Sequence, residues 1–337
     1  MEISVEQEIQ QIEMQRPHVA ILGAGASLAA FPNGDANGVR LPLMNNFVET
    51  LGLQDLLTRA NIPRDLVNFE EIYNHLYREE SQWELREELE QYVYRYFSSL
   101  EIPETPTIYD HLLLGLRSKD VVATFNWDPF LLKAFRRNAQ QFDLPRLLFL
   151  HGNVGVGFCE TDKVAGVKGN ICSRCGDMFS PTQLLYPISE KNYHQDGFIS
   201  SQWAELHHDL KNAFMLTVFG YGAPASDVSA VELMKVAWGD VYQREMEQTE
   251  IIDIKSEDDL YETWKPFIHS HHYDTYSSFY KSRIANNHPR RTGEAFLNQF
   301  VKAQFTNDNP VPRNLNFQQL WEWFNPLKQV ENGASST

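Results

Sequence analysis

The chain alternates short, unbroken apolar runs with longer stretches of helical periodicity. His18–Leu22 reads His-Val-Ala-Ile-Leu and stops at Gly23, the pattern of a strand buried on both faces. Val121–Thr124, Leu147–Leu150, Ala213–Phe219 and Glu250–Ile254 repeat it. Between them, Pro129–Asn138, Ser200–Asn212 and Ala225–Trp238 read as helices. This alternation predicts an α/β fold, a Rossmann-like parallel sheet with helices on both faces. Ligands of such sheets bind beyond the carboxyl ends of the strands, so the residues that follow each run are the candidates for chemistry.

Three segments depart from the alternation. Residues 64–100 predict a helical insertion, with Leu66, Phe69, Ile72, Tyr73, Leu76 and Tyr77 on one face and Leu85, Leu89, Tyr92, Val93 and Tyr96 on another. Residues 159–186 predict a small irregular insertion that carries Cys159, Cys172 and Cys175. Residues 256–330 predict a helical C-terminal extension whose tryptophans, Trp264, Trp321 and Trp323, mostly fill a core but offer material for an oligomer interface. Residues 331–337 are expected to fray.

The strand ends are chemically distinctive. Gly23-Ala24-Gly25-Ala26-Ser27 follows the first strand, either as a loop that lets backbone approach a pyrophosphate or as a plain turn with Ser27 as helix N-cap. Asn126 and Asp128 follow the second: an amide able to hold a hydroxyl or water from both sides, and an acceptor that also suits an N-cap before Pro129. His151-Gly152 follows the third, and imidazole titrates near neutrality. Gly220-Tyr221-Gly222 follows the fourth and runs to a helix capped by Ser226 or Asp227. Asp253 closes the fifth, where it caps a turn or reaches a ribose. The third glycine of the dehydrogenase fingerprint is absent, since Leu28 and Ala29 follow Ser27.

Composition narrows the field. Forty-two per cent of the 337 residues are hydrophobic, enough for a sizeable core. A formal net charge of −16 argues against direct nucleic-acid binding and against an anionic membrane as partner. No apolar run is long enough to span a bilayer. Three cysteines make no disulfide framework and suit a reducing, cytoplasmic setting. His269, His271 and His272, and the Arg290-Arg291 pair, read as exposed clusters, the arginines as a spot for a partner or phosphate.

Taken together, Gly23-Ala-Gly-Ala-Ser27, Thr124-Phe-Asn126-Trp-Asp128, His151-Gly152 and the Gly220 loop resemble the nucleotide loop, Thr-Gln-Asn-x-Asp motif, catalytic His-Gly and ribose-side loop of the sirtuin superfamily. The resemblance spans roughly residues 15–255 and implies an NAD-binding catalytic domain over residues 1–255. Phe125 stands where the deacylases carry Gln, and the two Cys-x-x-Cys pairs of their zinc ribbon are reduced to Cys159 and Cys172-Ser-Arg-Cys175. These departures look more like the bacterial sirtuin-like NAD hydrolases of antiviral defence.

The resemblance implies an NAD+ glycohydrolase. Asn126 would orient ribose hydroxyls and water, with His151 as general base and Asp128 on the nicotinamide carboxamide. Gly23, Ala24, Gly25, Ala26 and Ser27 would hold the pyrophosphate. Gly220, Tyr221, Asp227 and Asp253 would face the adenosine half, with Arg40 closing over the site. A homo-oligomer and a HerA-type ATPase partner are implied likewise. A protein deacylase and a non-catalytic NAD- or ADP-ribose-binding subunit are the alternatives. The cysteines stay open between buried thiols and a structural zinc completed by a ligand such as His194.

Overall fold

The structure is a computed structural model that describes residues 1–63, 66–188, 193, 196–223 and 227–334. A short helix, α1 (Val5–Ile9), leads into β1 (His18–Leu22) and α2 (Ala24–Ala30). Two short helices, α3 (Phe47–Leu51) and α4 (Gln54–Arg59), precede the expected helical insertion, which holds α5 (Phe69–Arg78) and α6 (Trp83–Ser98) joined by a 3-10 turn at Glu80–Gln82. Asn68 caps α5 by accepting the Glu70 N–H at 2.9 Å.

Then come α7 (Ile108–Leu114), β2 (Val121–Thr124), α8 (Phe130–Asn138) and β3 (Arg146–Phe149). The cysteine-bearing insertion is more regular than its sequence suggests. It pairs β4 (Val156–Cys159) antiparallel with β5 (Val164–Val167) and β6 (Ser180–Pro181). The chain returns through α9 (Gly197–Asn212), β7 (Met215–Phe219), α10 (Val228–Trp238) and β8 (Gln248–Ile252).

Residues 256–330 contain the expected helices, α11 (Glu257–Trp264), α12 (Arg283–Asn286), α13 (Thr292–Phe300) and the start of α14 (Phe317–Ala334). They also contribute a strand that the sequence pattern did not reveal, β9 (Tyr273–Tyr276). It pairs parallel with β8, so the extension completes the main sheet.

That sheet has the order β3-β2-β1-β7-β8-β9, every neighbouring pair parallel. Counted within the sheet this is 3-2-1-4-5-6, the doubly wound order. It reverses direction between β1 and β7, where such folds open a ligand crevice. Successive side chains of β1 alternate between two cores. Ala20 and Leu22 join the core built with α7, α8 and the helical insertion; Val19 and Ile21 join the one built with α9 and α10.

Two expectations fail at the C-terminus. Arg290 and Arg291 are buried, 2% and 0% exposed, because Glu331 on α14 takes both guanidinium groups at 2.6 Å. They clamp the last helix and form no surface spot. For the same reason residues 331–334 continue α14 where a frayed tail was expected; residues 335–337 lie outside the described residues. Trp264 is buried, and Trp321 and Trp323 pack against the larger core. Among the described residues, no helix is long and apolar enough to cross a membrane.

Candidate functional site

The carboxyl ends of β1, β2, β3 and β7 meet as the sequence predicts, through contacts that fix their loops. The Gly23 and Gly25 N–H groups donate to the Phe219 and Gly220 carbonyls at 3.0 and 2.9 Å. A Cβ on Gly23 would stand 2.6 Å from the Gly220 oxygen, and Gly220 itself has φ +60°. These glycines are needed because two loops touch at the switch point. Ser27 is not an N-cap. Gly23 occupies that position, and Ser27 lies inside α2 with its hydroxyl turned into the site.

Two groups of side chains gather at this edge. In the first, the Asn126 amide donates to the Gly23 carbonyl at 2.8 Å and to Ser27 Oγ at 2.9 Å. Ser27 Oγ donates to Asp128 Oδ2 at 2.6 Å and shares a 2.6 Å hydrogen bond with the Tyr109 hydroxyl. Burial pushes the Asp128 carboxyl up to about 6 and holds the Tyr109 phenol well above its usual range. Asp128 also accepts the Phe130 N–H, the first amide of α8, at 3.2 Å, while Pro129 and not Asp128 takes the N-cap position.

The second group surrounds His151. Its Nε2 lies 3.5 Å from the Tyr193 hydroxyl and 4.0 Å from Asp227 Oδ1. The Tyr221 hydroxyl donates to Asp227 Oδ2 at 3.0 Å, and the Tyr221 ring stacks on Phe125 with centroids 4.1 Å apart. Phe125 in turn meets the His151 ring edge-on at 4.8 Å. Asp227 therefore sits beside the imidazole, whereas the sequence had assigned it to the far half of a dinucleotide. Asn153, two residues past His151, ties that loop to the one after β2, its amide donating to the Asp128 backbone carbonyl at 2.6 Å and the Asn126 backbone carbonyl at 3.3 Å.

Asn126, Asp128 and His151 are each under a tenth exposed. Phe125 and Tyr221 are buried likewise. A cavity of about 600 Å³ lies alongside, lined by Tyr73, Glu87, Glu90, Tyr94 and Gln183–Tyr186. It does not include Asn126 or His151, but the Leu185 N–H donates to the His151 carbonyl at 2.9 Å, so its wall adjoins the site.

Two further candidates enter neither group. Arg40 is exposed in the loop after α2, with its carbonyl held by the Tyr96 hydroxyl at 2.5 Å. Asp253 accepts the Lys255 N–H at 3.0 Å and caps the turn after β8. Tyr109, Tyr193 and Asn153 are participants the sequence did not suggest, because each lies outside the strand-end motifs.

The cysteines converge. Cys159 Sγ lies 3.4 Å from Cys175 Sγ, and Cys172 Sγ lies 3.2 Å from Asp162 Oδ2. All four ligand atoms fall within 4.8 Å of one another. The fourth group is thus Asp162, in the β4–β5 hairpin; His194 lies outside the described residues. Three thiols and a carboxylate suit a closed tetrahedral zinc site. The Asp162 N–H donates to Cys159 Sγ at 3.4 Å, which draws the hairpin turn onto the cluster. Among the described residues this is the one such cluster, so His269, His271 and His272 do not form a second.

No family model matches the sequence, and no curated protein matches it. Among solved structures, a Sir2 homologue in complex with NAD aligns over 87% of this chain and 94% of its own, at 13% identity and a TM-score of 0.44. A mutant Sir2 homologue with ADP-ribose aligns over 97% of both chains at 13% identity and a TM-score of 0.40. Sir2Tm bound to a propionylated peptide aligns over 72% of this chain and 82% of its own, at 16% identity and a TM-score of 0.33. Likeness at this level assigns neither substrate nor reaction.

Proposed function

We propose that this protein hydrolyses the nicotinamide–ribose bond of NAD+. The observation that supports the reading is the placing of Asn126, Asp128 and His151 just after the adjacent strands β2 and β3, with Asn153, two residues past His151, donating to the Asn126 and Asp128 backbone carbonyls. An amide, a carboxyl poised near neutrality and an imidazole are the groups that glycosidic cleavage with a cationic leaving group requires. The C–N bond breaks with its electron pair on the pyridine nitrogen, so nicotinamide departs neutral without an acid. Positive charge develops on the ribose. Water adds at C1′, and its proton passes to the His151 imidazole.

Asn126 holds the ribose hydroxyls and the water, and Asp128 holds the carboxamide. The 23–27 loop faces the pyrophosphate, and Asp227 steadies the imidazolium that forms. Cys159, Asp162, Cys172 and Cys175 hold a structural zinc that supplies no step.

The setting follows the sequence resemblance. Phe125 in place of Gln, the reduced cysteine set and the extension favour a cytoplasmic, homo-oligomeric NAD-depleting effector of bacterial anti-phage defence, working with a HerA-type ATPase. The deciding experiment incubates the purified chain, alone and with such an ATPase, with NAD+ and follows nicotinamide and ADP-ribose. Release without any acylated peptide, abolished in both Asn126→Ala and His151→Ala chains that remain folded, is the expected result. Turnover that requires an acetyl-peptide, or saturable binding without consumption, would replace this reading.

A further inference from the structure

A second polar centre lies far from the strand ends, between the N-terminal helix and the C-terminal extension. Glu8 of α1 is fully buried and neither carboxylate oxygen has a hydrogen bond of ordinary geometry; burial raises its carboxyl, and the neighbouring Asn298 side chain offsets only part of that. It lines a cavity of about 70 Å³ together with His288, Gln304, Thr306 and Asp308. A single water needs roughly 10–15 Å³, so there is room for an ion or several waters. A buried carboxylate is costly unless it is paired or bound to a metal.

The imidazole opposite is fixed in one tautomer. His288 Nε2 lies 3.0 Å from the Asn307 carbonyl, which can only accept, so the neutral ring carries its proton there. Nδ1 is left as a bare lone pair, 3.7 Å from Glu8 Oε1 and without a hydrogen bond. Two acceptors thus face each other across a gap too long for a shared proton. Gln304 Oε1 and Thr306 Oγ1, in the same cavity, are also unpartnered.

An imidazole that spends one nitrogen on a carbonyl and aims the other at a carboxylate is arranged as metal-binding histidines are. Bonds of about 2.1 Å from one ion to two atoms 3.7 Å apart would meet at an angle of roughly 120°. His288 is also held at φ +52°, a conformation that costs energy and that its surroundings impose.

We propose that Glu8 and His288 bind a divalent first-row cation of the zinc type, with Gln304 and Thr306 as neutral oxygen ligands. The ion ties α1 to the extension, where the Met1 ammonium already donates to the Ala303 carbonyl at 3.0 Å. Asp308 supports the site from outside, since its oxygens take the Asn286 and Asn287 amides at 2.7 Å. Imidazole in the ligand set favours zinc over calcium or magnesium.

The test uses the full chain carrying Cys172→Ser and Cys175→Ser, which disables the thiol cluster. After chelation and reloading with Zn2+, this chain is expected to retain zinc through gel filtration and to melt at higher temperature than its stripped form. Adding Glu8→Gln, or His288→Asn, which suits the positive φ, is expected to weaken zinc binding about tenfold or more and to remove the melting shift. Zinc retention unaffected by both changes, or no retention in the Cys172→Ser, Cys175→Ser background, overturns the proposal. If Glu8→Gln does not fold, His288→Asn alone decides.

Discussion

The two ends of the sheet bury polar groups in different ways. Near the amino end, carboxylates meet cations. Asp120 contacts Lys119 at 2.5 Å and accepts the His18 N–H at 2.9 Å, and Glu294 takes the Arg117 guanidinium at 2.9 Å. Burial by itself would raise Asp120, yet Lys119, Arg117 and His18 together hold it below its usual value. At the carboxyl end, Asp128 meets neutral donors, the Ser27 hydroxyl and the Phe130 N–H, and burial wins. A carboxylate matched by charge is spent on holding the fold together. One left among hydroxyls and amides keeps its capacity for an incoming group.

The sharpest way to break this contrast is to disable each end and ask which property moves. Asn126→Ala or His151→Ala is expected to cut NAD+ turnover about 10²- to 10⁴-fold, with a loss of stability of about 1–3 kcal/mol for the buried hydrogen bonds removed. A drop below tenfold in either would remove that residue from the chemistry. Glu331→Ala, which strands Arg290 and Arg291, should do the reverse. Urea denaturation should show a loss of about 3–5 kcal/mol, with turnover per folded chain retained.

A pH series sharpens the comparison further. The folded value of Asp128, about 6, lies above the ordinary 3.8, so its protonated form favours the fold. That contribution is complete below about 4 and is lost as pH rises through about 6. Asp128→Asn should therefore erase about 2–3 kcal/mol of pH-dependent stability across that window, read as the difference between the two unfolding curves. A difference that stays flat from pH 4 to pH 7 would mean that the carboxyl titrates normally. The smallest effect is expected of Tyr193→Phe, which removes one weak contact to His151. It should cost at most about 1 kcal/mol and shift the acidic limb of the pH–rate profile.

Much of this was legible because strands buried on both faces leave little choice of residue. His18–Leu22 and Val121–Thr124 were readable residue for residue, and the three other apolar runs to within a few positions. Strand β9 was not, because Tyr-Asp-Thr-Tyr is half-buried at an edge and lacks an apolar run. Asn126, Asp128 and His151 were findable from their places after strands. Tyr109 was not, since it reaches Ser27 from within α7 and nothing around it in sequence marks it. The adjacent arginines looked exposed because their partner, Glu331, lies 40 residues further on. Asp162 was the one miss with a local cue, an acid inside the hairpin that follows Cys159.

Strand order also has a consequence for synthesis. Ser27, Tyr109, Asn126 and Asp128 all lie within the first 128 residues, yet β7, which pairs with the whole of β1, ends only at Phe219. At roughly 5–20 residues per second, a ribosome needs on the order of 5–20 s to deliver that stretch. Through that interval the nascent chain carries one open flank of β1, an unpaired hydrophobic edge exposed to mispairing until β7 arrives.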